Sequence, residues 1–144
     1  MTTRFITLIS SLFFIISTPI TSFVDSPNAK IIGEWINEKK DAKFEIYESE
    51  NKIYGKVIWG TGGDPKDIKN PDPTLRNRDV IGLTILKNFE FKSKNVWSDG
   101  TIYDPKDGKT YSCKLTLVSN NKLEVRGYVG ISLFGRTETW TKIK

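Results

Sequence analysis

The chain has 144 residues, enough for one domain with its own core. It carries 22 basic and 17 acidic residues, a formal charge of +5, and its basic residues are dispersed. This pattern predicts a solvated surface with a mild preference for anionic partners, and it argues against a nucleic-acid-binding platform. Histidine is absent and Cys113 is the only cysteine, which excludes a histidine base, an internal disulfide and a multi-cysteine metal site.

The first 22 residues are typical of a secretory signal peptide. Arg4 precedes an apolar core from Phe5 to Ile16, and a cleavage site after Ser22 fits the small and apolar residues there. The alternative is an uncleaved anchor, because the uncharged run that begins at Phe5 is about 20 residues long. Its Ser, Thr and Pro content disfavours that alternative. We therefore predict a signal peptide over residues 1–22 and a single domain over residues 23–144. The protein is then exported, to the periplasm or beyond, without a stable membrane span after cleavage.

The chain after residue 30 shows the period-2 alternation of strands that have one buried face. Gly33 and Trp35 begin the first strand, and Phe44 and Ile46 alternate with polar residues in the second. The third strand is predicted to point four residues inward: Ile53, Gly55, Val57 and Trp59.

A long irregular segment, rich in Gly, Pro, Asp and Asn, follows from Gly60 to Pro73. It overlaps the run N-P-D-P-T-L-R-N-R, which ends at Arg78 and sets two arginines, Arg76 and Arg78, among acidic neighbours. Two interpretations stay open for this run. It is either a loop pinned by salt bridges and caps or an anion-recognising lip at the mouth of a barrel.

The last third of the chain, from Trp97 to Trp140, is a series of hairpin strands. Asp104 and Gly108 bound a turn in which the glycine is able to take a positive φ. Cys113 follows on the apolar face of the next strand, which predicts an inert, buried thiol rather than a nucleophile.

The final strand places Arg136, Glu138 and Trp140 on one face. Trp140 is too apolar to prefer solvent, so the same alternation turns Arg136 and Glu138 toward the interior. A buried charge must be paired. The two side chains either pair with each other, or Glu138 takes a donor from Arg126 or Tyr103.

Several motifs together resemble a bacterial family known as domain of unknown function 2147. They are Y-G-K-V-I-W (54–59), N-P-D-P-T-L-R-N-R (70–78), W-S-D-G-T-I-Y-D-P (97–105), V-R-G-Y-V-G (125–130) and F-G-R-T-E-T-W (134–140). The resemblance covers nearly the whole mature chain. It implies an exported, lipocalin-like β-barrel and carries no settled activity.

The residues themselves predict the same all-β fold: a single antiparallel up-and-down β-barrel of about eight strands, lipocalin-like or calycin-like. The Gly-x-Trp of the first strand looks like the lipocalin opening, in which an arginine of the last strand packs over the tryptophan. Arg136 is predicted to do so over Trp35. Structural roles are assigned to Gly33, Trp35, Trp59, Asp104 and Gly108.

The leading functional interpretation is a non-enzymatic binder of a small apolar or amphiphilic ligand in the cell envelope. An eight-stranded barrel holds either packed side chains or one small ligand, and Arg76 and Arg78 at its mouth would meet a negative head group. The predicted lining is Phe44, Ile46, Ile53, Val57, Trp59, Tyr111, Leu115, Leu123 and Trp140. The candidate ligand-binding residues are Arg76, Arg78, Tyr103, Arg126, Arg136, Glu138 and Trp140.

Two other interpretations remain. A filled barrel with an apolar rim would favour a structural or protein-interaction module that uses Tyr128 or the loop from Ile131 to Phe134, whereas an open cavity would favour the ligand binder. An enzyme is the third, with no catalytic residue, metal or cofactor assigned. Its candidate groups are Asp104, Glu138, Tyr103 and Arg136.

Overall fold

The structure is a computed structural model that describes residues 25–144, so the predicted signal peptide lies outside the described residues. Eight antiparallel strands form a closed barrel in which each strand pairs with the next and the last pairs with the first. This confirms the predicted up-and-down barrel. The strands are β1 Gly33–Ile36, β2 Ala42–Ser49, β3 Lys52–Gly60, β4 Thr84–Ser93, β5 Val96–Asp104, β6 Lys109–Ser119, β7 Lys122–Tyr128 and β8 Gly135–Lys142. Two short 3-10 helices cover Pro27–Lys30 and Pro73–Leu75. Between residues 25 and 144, no helix is long and apolar enough to cross a bilayer.

The two ends of the barrel differ in the length of their connections. At one end, tight turns at 50–51, 94–95 and 120–121 join the strands, and Asn51 and Asn95 adopt the positive φ that such turns require. At the other end the connections are longer, at 37–41, 61–83, 105–108 and 129–134. We call these the closed end and the open end.

The segment before β1 seals the closed end. The Nε1 of Trp97 donates to Asn28 Oδ1 at 2.7 Å, and the Nε1 of Trp35 donates to the carbonyl oxygen of Ile31 at 2.9 Å. Asn28 also donates to Glu48 Oε1 at 3.0 Å. The two buried indole donors are therefore satisfied by the N-terminal segment, as buried polar groups must be.

Large side chains fill the interior of the barrel. Trp35, Trp97, Trp140 and Phe89 are each at most 1% exposed, and Phe44 stacks on Trp140 with ring centroids 4.0 Å apart. A Cβ on Gly100 would overlap the ring of Phe89. The Phe89 ring therefore fills the space that a side chain at position 100 would take. The remaining fully buried apolar side chains are Ile31, Ile46, Ile53, Leu86, Cys113, Leu115 and Leu123.

Seven of the nine predicted lining residues are buried: Phe44, Ile46, Ile53, Val57, Leu115, Leu123 and Trp140. Tyr111 is only half-buried. Trp59 was predicted to point inward and does not, since it is 40% exposed. Phe44 pairs with Val57 but Lys43 pairs with Trp59, so Ile58 is an extra residue in β3. This bulge reverses the alternation and turns Trp59 outward, where the Nζ of Lys43 lies 5.2 Å from its ring centroid.

The prediction that Arg136 packs over Trp35 is also wrong. The cation there is Lys142, whose Nζ lies 5.4 Å from the Trp35 ring centroid and which pairs with Trp35 across β1 and β8. Strand β1 has only four residues, and it pairs with β8 only at Thr141 and Lys142, the last two residues of that strand. Arg136 pairs with Gly127 at the other end of β8. It is six residues from Lys142, about 20 Å along the strand.

Two glycines with assigned structural roles occupy backbone conformations that other residues rarely adopt. Gly33 has φ +136° and Gly108 has φ +71°, and a Cβ at either position would collide with a carbonyl oxygen, of Lys144 and Lys69 respectively. Gly108 ends the turn that begins at Asp104, whose backbone oxygen accepts from the Gly108 amide at 2.8 Å. The β5–β6 turn thus packs directly against the 61–83 connection.

Candidate ligand-binding site

The connection from 61 to 83, which we call the long loop, folds back on itself. The amide of Asp67 donates to the carbonyl oxygen of Arg78 at 3.1 Å. Lys66 and Asp79 form an ion pair at 2.6 Å, and Asp72 caps the 3-10 helix by accepting from the Thr74 amide at 2.9 Å. The long loop is thus an ordered element held by salt bridges and caps, as one of the two interpretations of the N-P-D-P-T-L-R-N-R run expected.

The long loop packs on the outside of the barrel, over β4, β5 and β6. Ile102 pairs with Leu86 and points inward, so its neighbours Thr101 and Tyr103 point outward. Tyr103 is nevertheless only 9% exposed, because the long loop covers it. Tyr103 is therefore not the interior donor to Glu138, which was one of the alternatives that the sequence left open.

Tyr103 joins a buried polar cluster centred on Asp67, whose side chain is fully buried. One carboxylate oxygen accepts from the Tyr103 hydroxyl at 2.5 Å. The other accepts from Asn70 Nδ2 at 2.8 Å, from Arg78 Nε at 2.9 Å and from Arg78 Nη2 at 2.8 Å. Both oxygens of the buried carboxylate therefore have hydrogen-bond donors, which is what its burial requires.

This cluster shifts the pKa values of its two acids in opposite directions. Burial acts to raise the pKa of Asp67, but the hydrogen bonds from Tyr103, Asn70 and Arg78 outweigh it and hold that pKa below its ordinary value. Burial, followed by the hydrogen bond to Asp67, raises the pKa of Tyr103. At neutral pH the cluster therefore contains a carboxylate, a neutral phenol and a guanidinium.

A pocket of about 260 Å³ lies beside the cluster, between the long loop and the outer wall of the barrel. We call it the loop pocket. It combines apolar surface with hydroxyl groups and two cations. Its apolar and aromatic lining is Pro71, Leu75, Ile85 and Tyr103, and its polar lining is Asn70, Arg78, Thr84, Lys87, Thr101 and Thr110.

The two cations of the loop pocket are in different states. Arg78 is committed to Asp67. Lys87 is exposed on the outer face of β4 opposite Thr101, and no carboxylate among residues 25–144 forms an ion pair with it. A pocket with apolar lining and one uncommitted cation suits a small amphiphile that carries a negative charge.

Three of the seven predicted ligand-binding residues come together here. Arg78 and Tyr103 line the loop pocket. Arg76 is not part of the lining, but its Nε donates to the carbonyl oxygen of Asn70, a lining residue, at 2.8 Å. The polar contacts of Arg76 and Arg78 join residues of the long loop itself, so the two arginines hold the fold of that loop, and the Arg78 guanidinium also lies 5.9 Å from the centroid of the Tyr103 ring. The sequence suggested that both arginines lie at the mouth of the barrel. In the structure, Arg78 instead lines a pocket on the outer wall.

The other four predicted residues lie on β7 and β8, away from the loop pocket. Arg136, Glu138 and Trp140 pair with inward-facing positions of β7, as the alternation predicted, but Arg136 is exposed at the open end and is not the buried charge that the sequence suggested. The Nε1 of Trp140 donates to Glu138 Oε2 at 3.0 Å. Trp140 is therefore the donor that Glu138 uses, in place of Arg126 or Tyr103, whose side chains are both on the outer face.

Arg126 instead holds the connection 129–134, which we call the rim loop. Its guanidinium donates to the carbonyl oxygens of Ser132 at 2.7 Å and Leu133 at 3.1 Å, and to Thr137 Oγ1 at 2.8 Å. The rim loop exposes four apolar side chains at the open end: Val129 at 72%, Ile131 at 58%, Leu133 at 74% and Phe134 at 71%. The sequence singled out part of this loop as an apolar rim.

Sequence reasoning missed Asp67, Lys87 and the three threonines of the loop pocket. Lys87 and Thr101 occupy the polar positions of alternating strands, which normally only face solvent. Asp67 lies among the turn formers of the long loop, where an acidic residue is usually exposed. Only the packing of the long loop on β4–β6 gives these residues a shared pocket, and no local pattern encodes that packing.

The four candidate groups for catalysis do not come together. Tyr103 is on the outer wall, Arg136 and Glu138 are on the inner face of β8, and Asp104 accepts a hydrogen bond from the Lys106 amide within its own turn. Within residues 25–144, no three His, Cys, Asp or Glu side chains are grouped so as to hold a metal ion.

This barrel is similar to known structures and matches one protein-family model. A structure described as "Protein HP1028 from the human pathogen Helicobacter pylori belongs to the lipocalin family" is 29% identical, with a TM-score of 0.73 over 78% of this chain and 82% of that chain. A redesigned β-barrel is 16% identical, with a TM-score of 0.49 over 82% of this chain and 96% of that chain, and is too distant to support an inference. No curated protein matches.

The family model described as "Uncharacterized protein conserved in bacteria (DUF2147)" matches residues 33–142, that is, every strand of the barrel. This chain therefore belongs to the bacterial DUF2147 family, and its fold is lipocalin-like.

Proposed function

We propose that this protein is an exported binder of a small amphiphilic molecule with a negatively charged group, and that the loop pocket holds the ligand. The observation that carries this proposal is the uncommitted Lys87 in a pocket of about 260 Å³ whose lining is partly apolar. The barrel interior is occupied by buried tryptophan and phenylalanine side chains. Lipocalin-like architecture is consistent with binding, but the packing favours a site on the wall.

The chemistry of the site separates two parts of a ligand. Ile85, Leu75 and Pro71 supply apolar contact for a short hydrocarbon. Lys87 and the hydroxyls of Thr84 and Thr101 supply donors for a carboxylate, sulfonate or phosphate group. The Asp67 cluster fixes Arg78 and Tyr103 in place, so this side of the pocket is formed before a ligand arrives.

The test is calorimetric titration of octanoate, with octanol as a neutral analogue of similar shape. Octanoate is expected to bind more tightly than octanol, and Lys87→Glu is expected to weaken octanoate about tenfold or more. Lys114→Glu makes the same charge change on the outer face of β6, away from the pocket, and is expected to leave the affinity unchanged. If both variants lose the same amount of octanoate affinity, the loss comes from the change in net charge and not from the pocket, which would contradict the assignment of the pocket.

A second candidate function is an interaction module that touches a larger surface through the rim loop. The specific observation is the pairing of a filled barrel with four exposed apolar side chains at its open end. Monomeric soluble proteins seldom display such side chains contiguously without a partner. The two functions use different faces and are separable, because substitutions in the rim loop leave the loop pocket intact.

A further inference from the structure

The rim loop is a formed apolar projection with a fixed shape. Arg126 makes three hydrogen bonds at its base, and the Phe134 amide donates to the carbonyl oxygen of Ile131 at 3.1 Å. Gly130, at φ +76°, turns the chain at its start. Ile131, Leu133 and Phe134 are therefore held away from the barrel by structure, and their exposure costs free energy in water.

The charged residues of the chain on either side of the rim loop are both basic. From residue 125 to residue 137 the chain carries Arg126 and Arg136 and no acidic residue. Arg136 is exposed and forms no ion pair with any carboxylate of residues 25–144. The nearest acidic side chain along β8, Glu138, faces inward and accepts from Trp140.

We propose that the rim loop docks the barrel on an anionic lipid surface, with Leu133 and Phe134 entering the interfacial region and Arg136 meeting lipid phosphates. This rests on the second proposed function and names its partner. Apolar side chains flanked by cations are the combination that gives reversible binding to anionic bilayers.

A second copy of the chain fits this surface less well. Symmetric packing of two rim loops would bring their Arg136 side chains near each other, and like charges in a contact are unfavourable. An anionic bilayer meets the same arginines with opposite charge and accepts the apolar tip without requiring a complementary pocket. Charge thus favours lipid over self-association.

The experiment is co-sedimentation of the exported form of the protein with vesicles of phosphatidylglycerol or of phosphatidylcholine. We expect partitioning onto phosphatidylglycerol that falls with added salt and is much weaker on phosphatidylcholine. Leu133→Ser with Phe134→Ser is expected to reduce partitioning about tenfold or more, and Arg136→Glu is expected to reduce it on phosphatidylglycerol only. Val118→Ser removes an apolar side chain of 51% exposure at the closed end of β6 and is expected to change nothing.

Three outcomes overturn the proposal. One is the absence of binding to either vesicle by protein that retains its β-sheet circular dichroism. Another is vesicle binding that survives the double serine substitution, which would place the contact elsewhere. The third is a concentration-dependent dimer in sedimentation velocity that the same substitution abolishes. That result would assign the rim loop to a second copy, and the interaction function would stand while its lipid partner would not.

Discussion

Two tyrosine–aspartate hydrogen bonds of equal length have different surroundings in this barrel. Tyr103 donates to Asp67 at 2.5 Å in a buried cluster, and Tyr111 donates to Asp107 at 2.5 Å in an exposed position. Loss of a donor costs most where water cannot replace it. The two bond lengths are equal, so the difference in burial is what predicts how much each bond contributes to the free energy of unfolding.

Tyr103→Phe is therefore expected to lower the free energy of unfolding by about 1–3 kcal/mol, because it leaves a lone pair of buried Asp67 without a donor. Tyr111→Phe is the matched control and is expected to cost less than about 0.5 kcal/mol. Urea unfolding followed by tryptophan fluorescence measures both. Equal losses in the two variants would show that the Asp67 cluster does not hold the long loop.

Cys113 presents a residue-scale prediction about reactivity. Its side chain is fully buried, and desolvation raises its pKa to about 12. The thiolate is the reactive form, so the native protein is expected to resist a thiol reagent at pH 8 for as long as it stays folded. Rapid labelling without denaturant would contradict this burial.

At the scale of elements, alternation predicted most strands because each hairpin has one face in the core and one in solvent. It was wrong for Trp59, where the bulge at Ile58 inserts a residue that no period-2 pattern marks. It also placed Tyr103 without knowledge of the long loop, which buries the outer side of β5. Strand faces are readable from local sequence, whereas coverage by a distant segment depends on tertiary packing.

The attachment of the long loop is expected to depend on pH through Asp67. Its folded pKa lies below the ordinary 3.8, so its contribution is complete above the unfolded pKa and is lost as pH falls through the folded value. Tyr103, with a pKa above its ordinary 10.0, contributes stability below pH 10 that is lost as pH rises further. Urea midpoints measured from about pH 5 downward are expected to decline less steeply for Asp67→Asn than for the natural protein. Parallel declines would assign the acid sensitivity to other carboxylates.

Closure of the barrel by Lys142 and Trp35 is testable by a double-mutant cycle. Trp35→Ala is expected to cost about 3–5 kcal/mol as a buried truncation. Its coupling to Lys142→Gln is expected to be about 0.5–1 kcal/mol. Arg136→Gln lies at the far end of β8 and is expected to be additive with Trp35→Ala. Coupling to Arg136 instead would restore the arrangement that the sequence suggested.

At the scale of the whole molecule, a closed barrel with a core of large side chains carries two outward surfaces. The long loop and the wall of β4–β6 form the loop pocket, and the rim loop projects from the open end. Fold and family were predictable because hairpin turns and motifs are local. The site was predictable only in part. Arg76, Arg78 and Tyr103 were identified, but the two arginines were assigned to the mouth and Tyr103 to the interior, because the packing that they share joins segments that are distant in sequence.

Arg76→Ala plus Arg78→Ala is expected to abolish amphiphile binding, but the double variant does not isolate a ligand contact. Arg78 holds Asp67 and Arg76 holds Asn70, so that double variant also releases the long loop. Lys87→Glu removes a cation that supports no internal contact and is the cleaner change.

The most direct measurement is mapping of amide chemical shifts by NMR during titration with octanoate. Binding in the loop pocket predicts saturable shifts at Thr84, Lys87, Thr101 and Tyr103, with the interior resonances of Phe89 and Trp140 unchanged. Saturable shifts centred on the interior residues instead would contradict the central claim that the barrel is filled and that its ligand binds on the wall.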